Sequence, residues 1–324
     1  MKNNSKKIFI LTEAVLAVLV IVTAIAMAGE WNGQKRGRVS VIVRNSDNSQ
    51  WSAFKYGLRM AAEDLEMEMF VVSTAEQMSV AEQEELIQWE IDNHVDAVIV
   101  QPLPGEEAAR MLESVGDQIP LMLVEYGIPK EAGENGLPVV GPDHEAMGRA
   151  LAEELLKDYQ GDLQGKTLGI LAESEESEAV RNREKGFLDA IEGKGGTVLW
   201  SLYEGGETRD QILAGQEETD FVIALDNASL ISAGASSSSN DLHGALVYGI
   251  GNSTEAVYYL DVGSVECLVV PDEFSMGYES LNEVAEKLSS FSGTMENQTV
   301  SYTVIRREMI FTEENQELLF AMNQ

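Results

Sequence analysis

Much of the polar chemistry in the first third of the chain falls in one run, Arg44-Asn45-Ser46-Asp47-Asn48-Ser49-Gln50-Trp51. It offers a guanidinium, several groups that donate and accept hydrogen bonds, and an indole. The flanking residues say how it is held. Val39, Val41 and Val43 lie in a β-branched run of the buried parallel-strand type. Phe54, Leu58, Ala61, Ala62 and Leu65 recur at helical spacing after it. Ligands of open α/β sheets bind beyond the carboxyl ends of the strands, so this loop is the first candidate site.

Catalytic constellations find no such support. His94, His144 and His243 stand apart without metal-ligand spacing, and each reads as structural or solvated. Gly249-Ile250-Gly251 lacks the third glycine of a dinucleotide fingerprint and comes too late in the chain. Neither a phosphate loop nor a Gly-x-Ser-x-Gly elbow is present. With 55 acidic residues, chance carboxylate pairs carry no information. The expectation is a protein that is not an enzyme and holds no metal or cofactor. The single cysteine, Cys267, sits in an apolar run and reads as a buried small hydrophobe.

The 324 residues suit two α/β domains. A formal charge of −33 repels nucleic acid and anionic lipid and solvates the surface. Lys2, Lys6 and Lys7 precede an apolar run at 8–28 broken only by Glu13. Its length suits a membrane anchor, while Ala26-Met27-Ala28 offers a signal-peptidase site, so a cleaved signal and a retained anchor both stand. Lysines ahead of the run place the body outside the cytoplasm, in the periplasm or at the cell surface. Residues 29–37 read as a tether.

Strand and helix patterns alternate through the remainder, which predicts parallel sheets covered on both faces. Asp96-Ala97-Val98-Ile99-Val100 and Asp220-Phe221-Val222-Ile223-Ala224 hold matching places in two similar halves. Asp143 is a candidate N-cap, and residues 300–305 read as one closing strand.

Several ordered segments carry a resemblance. They are Val39-Ser40-Val41-Ile42-Val43 leading to Asn48-Ser49-Gln50-Trp51 and Lys55-Tyr56-Gly57; Val95-Asp96-Ala97-Val98-Ile99-Val100; Ile119-Pro120-Leu121-Met122; Arg181-Asn182-Arg183-Glu184-Lys185-Gly186-Phe187; and Met276-Gly277. Over residues 38–320 the chain resembles the type I periplasmic sugar-binding proteins, the ribose-binding and lac-repressor-core group. No helix-turn-helix precedes Arg38, which argues against a repressor. The resemblance implies two doubly wound parallel-sheet α/β lobes joined by a three-strand hinge. One lobe would take 38–140 plus 272–299 and the other 141–271 plus 300–324, after a 1–37 leader.

The resemblance also implies a ligand set. Trp51 would stack on a sugar ring, Asn48 would bond hydroxyls, and Glu125 followed by Tyr126 stands where relatives carry Asp-Arg. Arg183 would reach the ring oxygen, and Asp226 would accept hydroxyls, whereas Arg181 reads as a surface charge. Asn252 would replace an Asp that Gly251 displaces, and Asp272 falls near a late Gln of the family. Arg44 stands where relatives are small, facing an anionic ligand or pairing with Asp47. The implied function is closure over a small sugar-like ligand for delivery to an ABC importer. The alternative is a membrane-anchored subunit presenting that ligand to a chemoreceptor or histidine kinase.

Overall fold

The computed structural model describes Leu16 and residues 37–75, 77–128, 136–204, 209–290 and 293–320. The chain divides into a short unit, Met1–Gly37, and a large one, Arg38–Gln324. The apolar run at 8–28 lies outside the described residues except for Leu16. Among the described residues no helix is long and apolar enough to cross a membrane.

The large unit holds two six-stranded sheets. The first takes β1 (Arg38–Ile42), β2 (Glu68–Val71), β3 (Ala97–Val100), β4 (Leu121–Val124), β5 (Val139–Pro142) and β11 (Gln298–Val300). The second takes β6 (Thr167–Ala172), β7 (Thr197–Tyr203), β8 (Phe221–Ala224), β9 (Leu246–Ile250), β10 (Cys267–Pro271) and β12 (Tyr302–Arg306). Their orders are β11-β5-β4-β3-β1-β2 and β12-β10-β9-β8-β6-β7. All pairings are parallel except that of β10 with β12. Every residue of β3, β4 and β8 is buried. Their unbroken apolar runs are what a strand covered on both faces requires.

Helices α1 (Ser52–Asp64), α2 (Val80–Asp92), α3 (Glu106–Gly116) and α9 (Glu273–Ser289) cover the first sheet. Helices α4 (His144–Asp158), α5 (Glu178–Ile191), α6 (Arg209–Leu213), α7 (Asn227–Ser238), α8 (Thr254–Asp261) and α10 (Glu313–Phe320) belong with the second. Each sheet therefore has a core on either face. Phe54, Leu58 and Met276 pack on one side of the first sheet, and Ile87, Leu112 and Val115 on the other.

Helix pairs approach until backbones touch. A Cβ on Gly57 of α1 would stand 2.0 Å from the Phe274 carbonyl oxygen of α9, and one on Gly277 would stand 2.1 Å from that of Phe54. In the other lobe a Cβ on Gly148 of α4 would lie 1.8 Å from the Arg183 carbonyl oxygen of α5. One on Gly186 would lie 2.0 Å from that of Glu145. Glycine is required at these crossings by space alone.

The chain passes between lobes at three places. After β5, Asp143 caps α4 by accepting the Ala146 N–H at 2.9 Å. After β10, Asp272 caps α9 in the same way through Ser275 at 3.0 Å. The third passage corrects the single closing strand: Ser301 interrupts it, Gln298–Val300 pairs with β5, and Tyr302–Arg306 pairs with β10. The Asp272 N–H donates to the Ser301 carbonyl at 2.9 Å, tying two passages together.

Candidate functional site

Strand order reverses between β1 and β3 in one sheet and between β6 and β8 in the other. Such switch points leave a crevice at the strands' carboxyl ends. The residues that follow those strands, Arg44, Gln101, Glu173 and Asp226, all line one cavity of about 340 Å³. Both lobes contribute to its wall.

Arg44 crosses to the second lobe, where its Nη2 lies 2.6 Å from Glu173 Oε2, so its carboxylate partner is Glu173 rather than Asp47. Burial pushes the Glu173 carboxyl up, Arg44 pulls it back, and neighbouring Asp226 adds to the rise. The pair is thus held against a desolvation cost. Asn48 caps the short helix Ser49–Trp51, accepting the Gln50 N–H at 2.9 Å. Trp51 is only 2% exposed; its indole donates to the Arg44 carbonyl at 2.8 Å and meets Phe54 edge-on. Asn48 and Trp51 therefore build the loop as well as line the cavity.

Glu125 follows β4 with φ of 72°, a left-handed conformation costing a non-glycine residue on the order of 1 kcal/mol. Gln101 donates to its Oε2 at 2.6 Å, and Arg183 approaches its Oε1 at 3.4 Å. Arg183 is buried, with Nη1 on the Leu225 carbonyl at 2.9 Å and Nε on His144 Nδ1 at 3.1 Å. His144 Nε2 in turn donates to the Glu125 carbonyl at 2.8 Å. Burial, with the Arg183 charge beside it, pushes His144 down to about 3 and keeps it neutral. Tyr126 donates to the Pro102 carbonyl at 2.7 Å, and burial raises its phenol.

Asp226 caps α7, accepting from Ser229 N–H at 2.8 Å and from Glu173 N–H at 2.7 Å. Asn252 donates across the cleft to the Gln50 carbonyl at 2.9 Å. Eight of the nine residues expected from the sequence thus lie along the cavity. Asp272 does not: it caps α9 and bonds Ser275 and Ser301, while its neighbour Glu273 lines the wall. Arg181 is exposed, with Nη1 on the carbonyls of Glu175 and Glu176.

Gln101, Glu173, Arg209, His144 and Glu273 escaped the sequence reading. For the first two a signal was present, because they follow β3 and β6 as Arg44 follows β1. His144 carried only its place after the Asp143 cap. The arrangement offers donors and acceptors, largely buried aromatic surface and paired charges, and none of it poises a nucleophile.

Two parallel-sheet lobes around such a cleft define a binding protein of the periplasmic type. A periplasmic binding protein domain is matched over residues 39–290, and the chain belongs to that family. No curated protein matches the chain. Among solved structures, a carbohydrate transporter solute binding protein from Agrobacterium radiobacter in complex with D-arabinose has a TM-score of 0.77 at 18% identity. That likeness covers 89% of this chain and 100% of the other. GanP, a glucose-galactose binding protein from Geobacillus stearothermophilus, gives 0.73 at 20% identity over 86% and 100%. A chain of the XylFII-LytSN complex gives 0.70 at 15% identity over 85% and 99%. At these identities the likeness shows the shared fold.

Proposed function

We propose that this chain is an extracytoplasmic solute-binding protein that closes two lobes over a small sugar-like ligand and delivers it to an ABC importer. The observation that carries this reading is the cavity at the two switch points, with Arg183 and Asp226 from one lobe facing Glu125 and Trp51 from the other. Ligand contacts made from both lobes favour the closed arrangement. The family and the sugar-binding neighbours support a role in binding rather than catalysis.

A second reading is a membrane-anchored subunit that presents its ligand state to a chemoreceptor or histidine kinase. The apolar run at 8–28 and the likeness to a chain solved within a two-protein complex favour it.

Thermal unfolding of the full chain in a polyoxyethylene detergent, with and without sugars, polyols and nucleosides, tests the binding role. A ligand at 100 times its Kd stabilises by about 2.7 kcal/mol, a rise of several degrees. No shift with any compound would count against the proposed cleft. Fractionation then separates the two readings: a body released from the membrane supports the importer, and one retained there supports the sensor.

A further inference from the structure

The charges around the cleft do not balance. Arg44 is matched by Glu173 and Arg183 by Glu125. Arg209, the remaining cation of the lining, has its Nε on the Glu204 carbonyl at 2.7 Å and also faces Glu173. Three further carboxyl groups line the wall, Asp210, Asp226 and Glu273. Asp210 accepts the Ser232 hydroxyl, and Asp226 is bonded by two backbone N–H groups. Among the described residues, Glu273, at the start of α9, has no such hydrogen-bond partner. It is 8% exposed, and its Oε2 is buried without a hydrogen bond.

We infer that the cleft takes a ligand bearing a protonated amine beside its hydroxyls, an amino sugar or amino polyol, with Glu273 as its counter-charge. This deepens the solute-binding reading and rests on it. An ammonium brings a positive charge and several donors to a carboxyl group whose buried Oε2 has no donor. The protein's field adds to the selection, since a chain of charge −33 concentrates cations and depletes anions near its surface. Burial first, and Glu125 second, push the Glu273 carboxyl well above the usual range; Arg183 opposes this and Asp272 adds to it. His144, which bonds both Arg183 and the Glu125 carbonyl, stays neutral. Ionising Glu273 is thus costly in the empty cleft, and a bound ammonium beside it would favour the carboxylate and draw the proton off.

Matched probes test this on the full chain by calorimetric titration: D-glucosamine against D-glucose, and D-glucamine against D-glucitol. The amino members are expected to bind at least about tenfold tighter, more tightly still as pH rises from roughly 5 to 6.5, where the amines keep their protons, with proton release to buffer. Glu273→Gln should abolish the preference. Should that variant fail to fold, proton release by the wild-type chain still decides. Equal or tighter binding of the neutral members, or an affinity that falls with pH, overturns the inference and leaves the cleft as a sugar site. Absence of binding by all four overturns the cleft reading itself, and the inference with it.

Discussion

Arg183 has a partner on each of its three nitrogens, and those partners fix both its direction and the tautomer of His144. The histidine must keep its proton on Nε2 to reach the Glu125 carbonyl, which leaves Nδ1 free to accept from Arg183. A second proton would set two donors face to face in a buried place. This is why burial and Arg183 together hold His144 down at about 3, although the Glu125 carbonyl pulls it upward. The unfolded chain takes up that proton near the ordinary 6.5, so its folded neutrality is a stability that is complete above 6.5 and is lost as the pH falls. At 1.36 kcal/mol per unit, wild-type protein at pH 5 should lose about 2 kcal/mol relative to pH 7.5 from this group. Urea midpoints at the two values, compared with His144→Asn, isolate the effect from the many carboxylates. Parallel pH profiles in the two proteins would mean that His144 titrates normally.

At the level of elements, the site depends on how closely α4 and α5 cross. The Arg183 carbonyl rests against Gly148, so a methyl group there must push the turn that carries the guanidinium. Gly148→Ala is expected to cost about 1–3 kcal/mol, as overpacking does, and also to weaken ligand binding. A denaturant midpoint together with an affinity measurement checks both; a stability loss with unchanged affinity would show that α5 yields without moving Arg183. The glycines of Tyr56-Gly57 and Met276-Gly277 were readable in the sequence as marks of the fold, and the crossing of α1 and α9 gives their reason. The β-branched runs of β1, β3 and β8 were equally legible, because burial on both faces leaves a pattern of neighbours in the chain. Other features depend on contacts far apart. The break at Ser301 separates two segments of similar strand character, and only their different partners, β5 and β10, assign them. Asp272 and Glu273 differ by one helix position, and it is the start of α9 that makes the first a cap and the second part of the wall. His144 gains meaning only when Arg183, on another helix, arrives beside it.

Across the whole molecule, closure is decided at the rim as well as in the cavity. At physiological ionic strength charges are screened beyond about 8 Å, so a net charge of −33 leaves the lobe equilibrium to groups in direct contact. Ser49 is such a group: it accepts the Thr254 N–H at 3.2 Å and donates to Glu255 Oε2 at 3.1 Å, both from the opposite lobe. It is not part of the main cavity wall, so its removal leaves the ligand's own contacts in place. Ser49→Ala should therefore act on the hinge alone. Loss of these bonds, worth about 1 kcal/mol net, disfavours the closed arrangement about fivefold. Apparent ligand affinity falls by the same factor once the competent state is the minor one. Thermal stability without ligand should barely change, because opening exposes neither lobe's core. Dyes placed on the two lobes would report a larger mean separation in Ser49→Ala that ligand restores to the wild-type distance. An affinity equal to wild type, with the same dye separation, would mean that the rim contact is incidental and that closure rests on the other contacts between lobes, Arg44–Glu173, Arg183–Glu125 and Asn252–Gln50, and on the ligand.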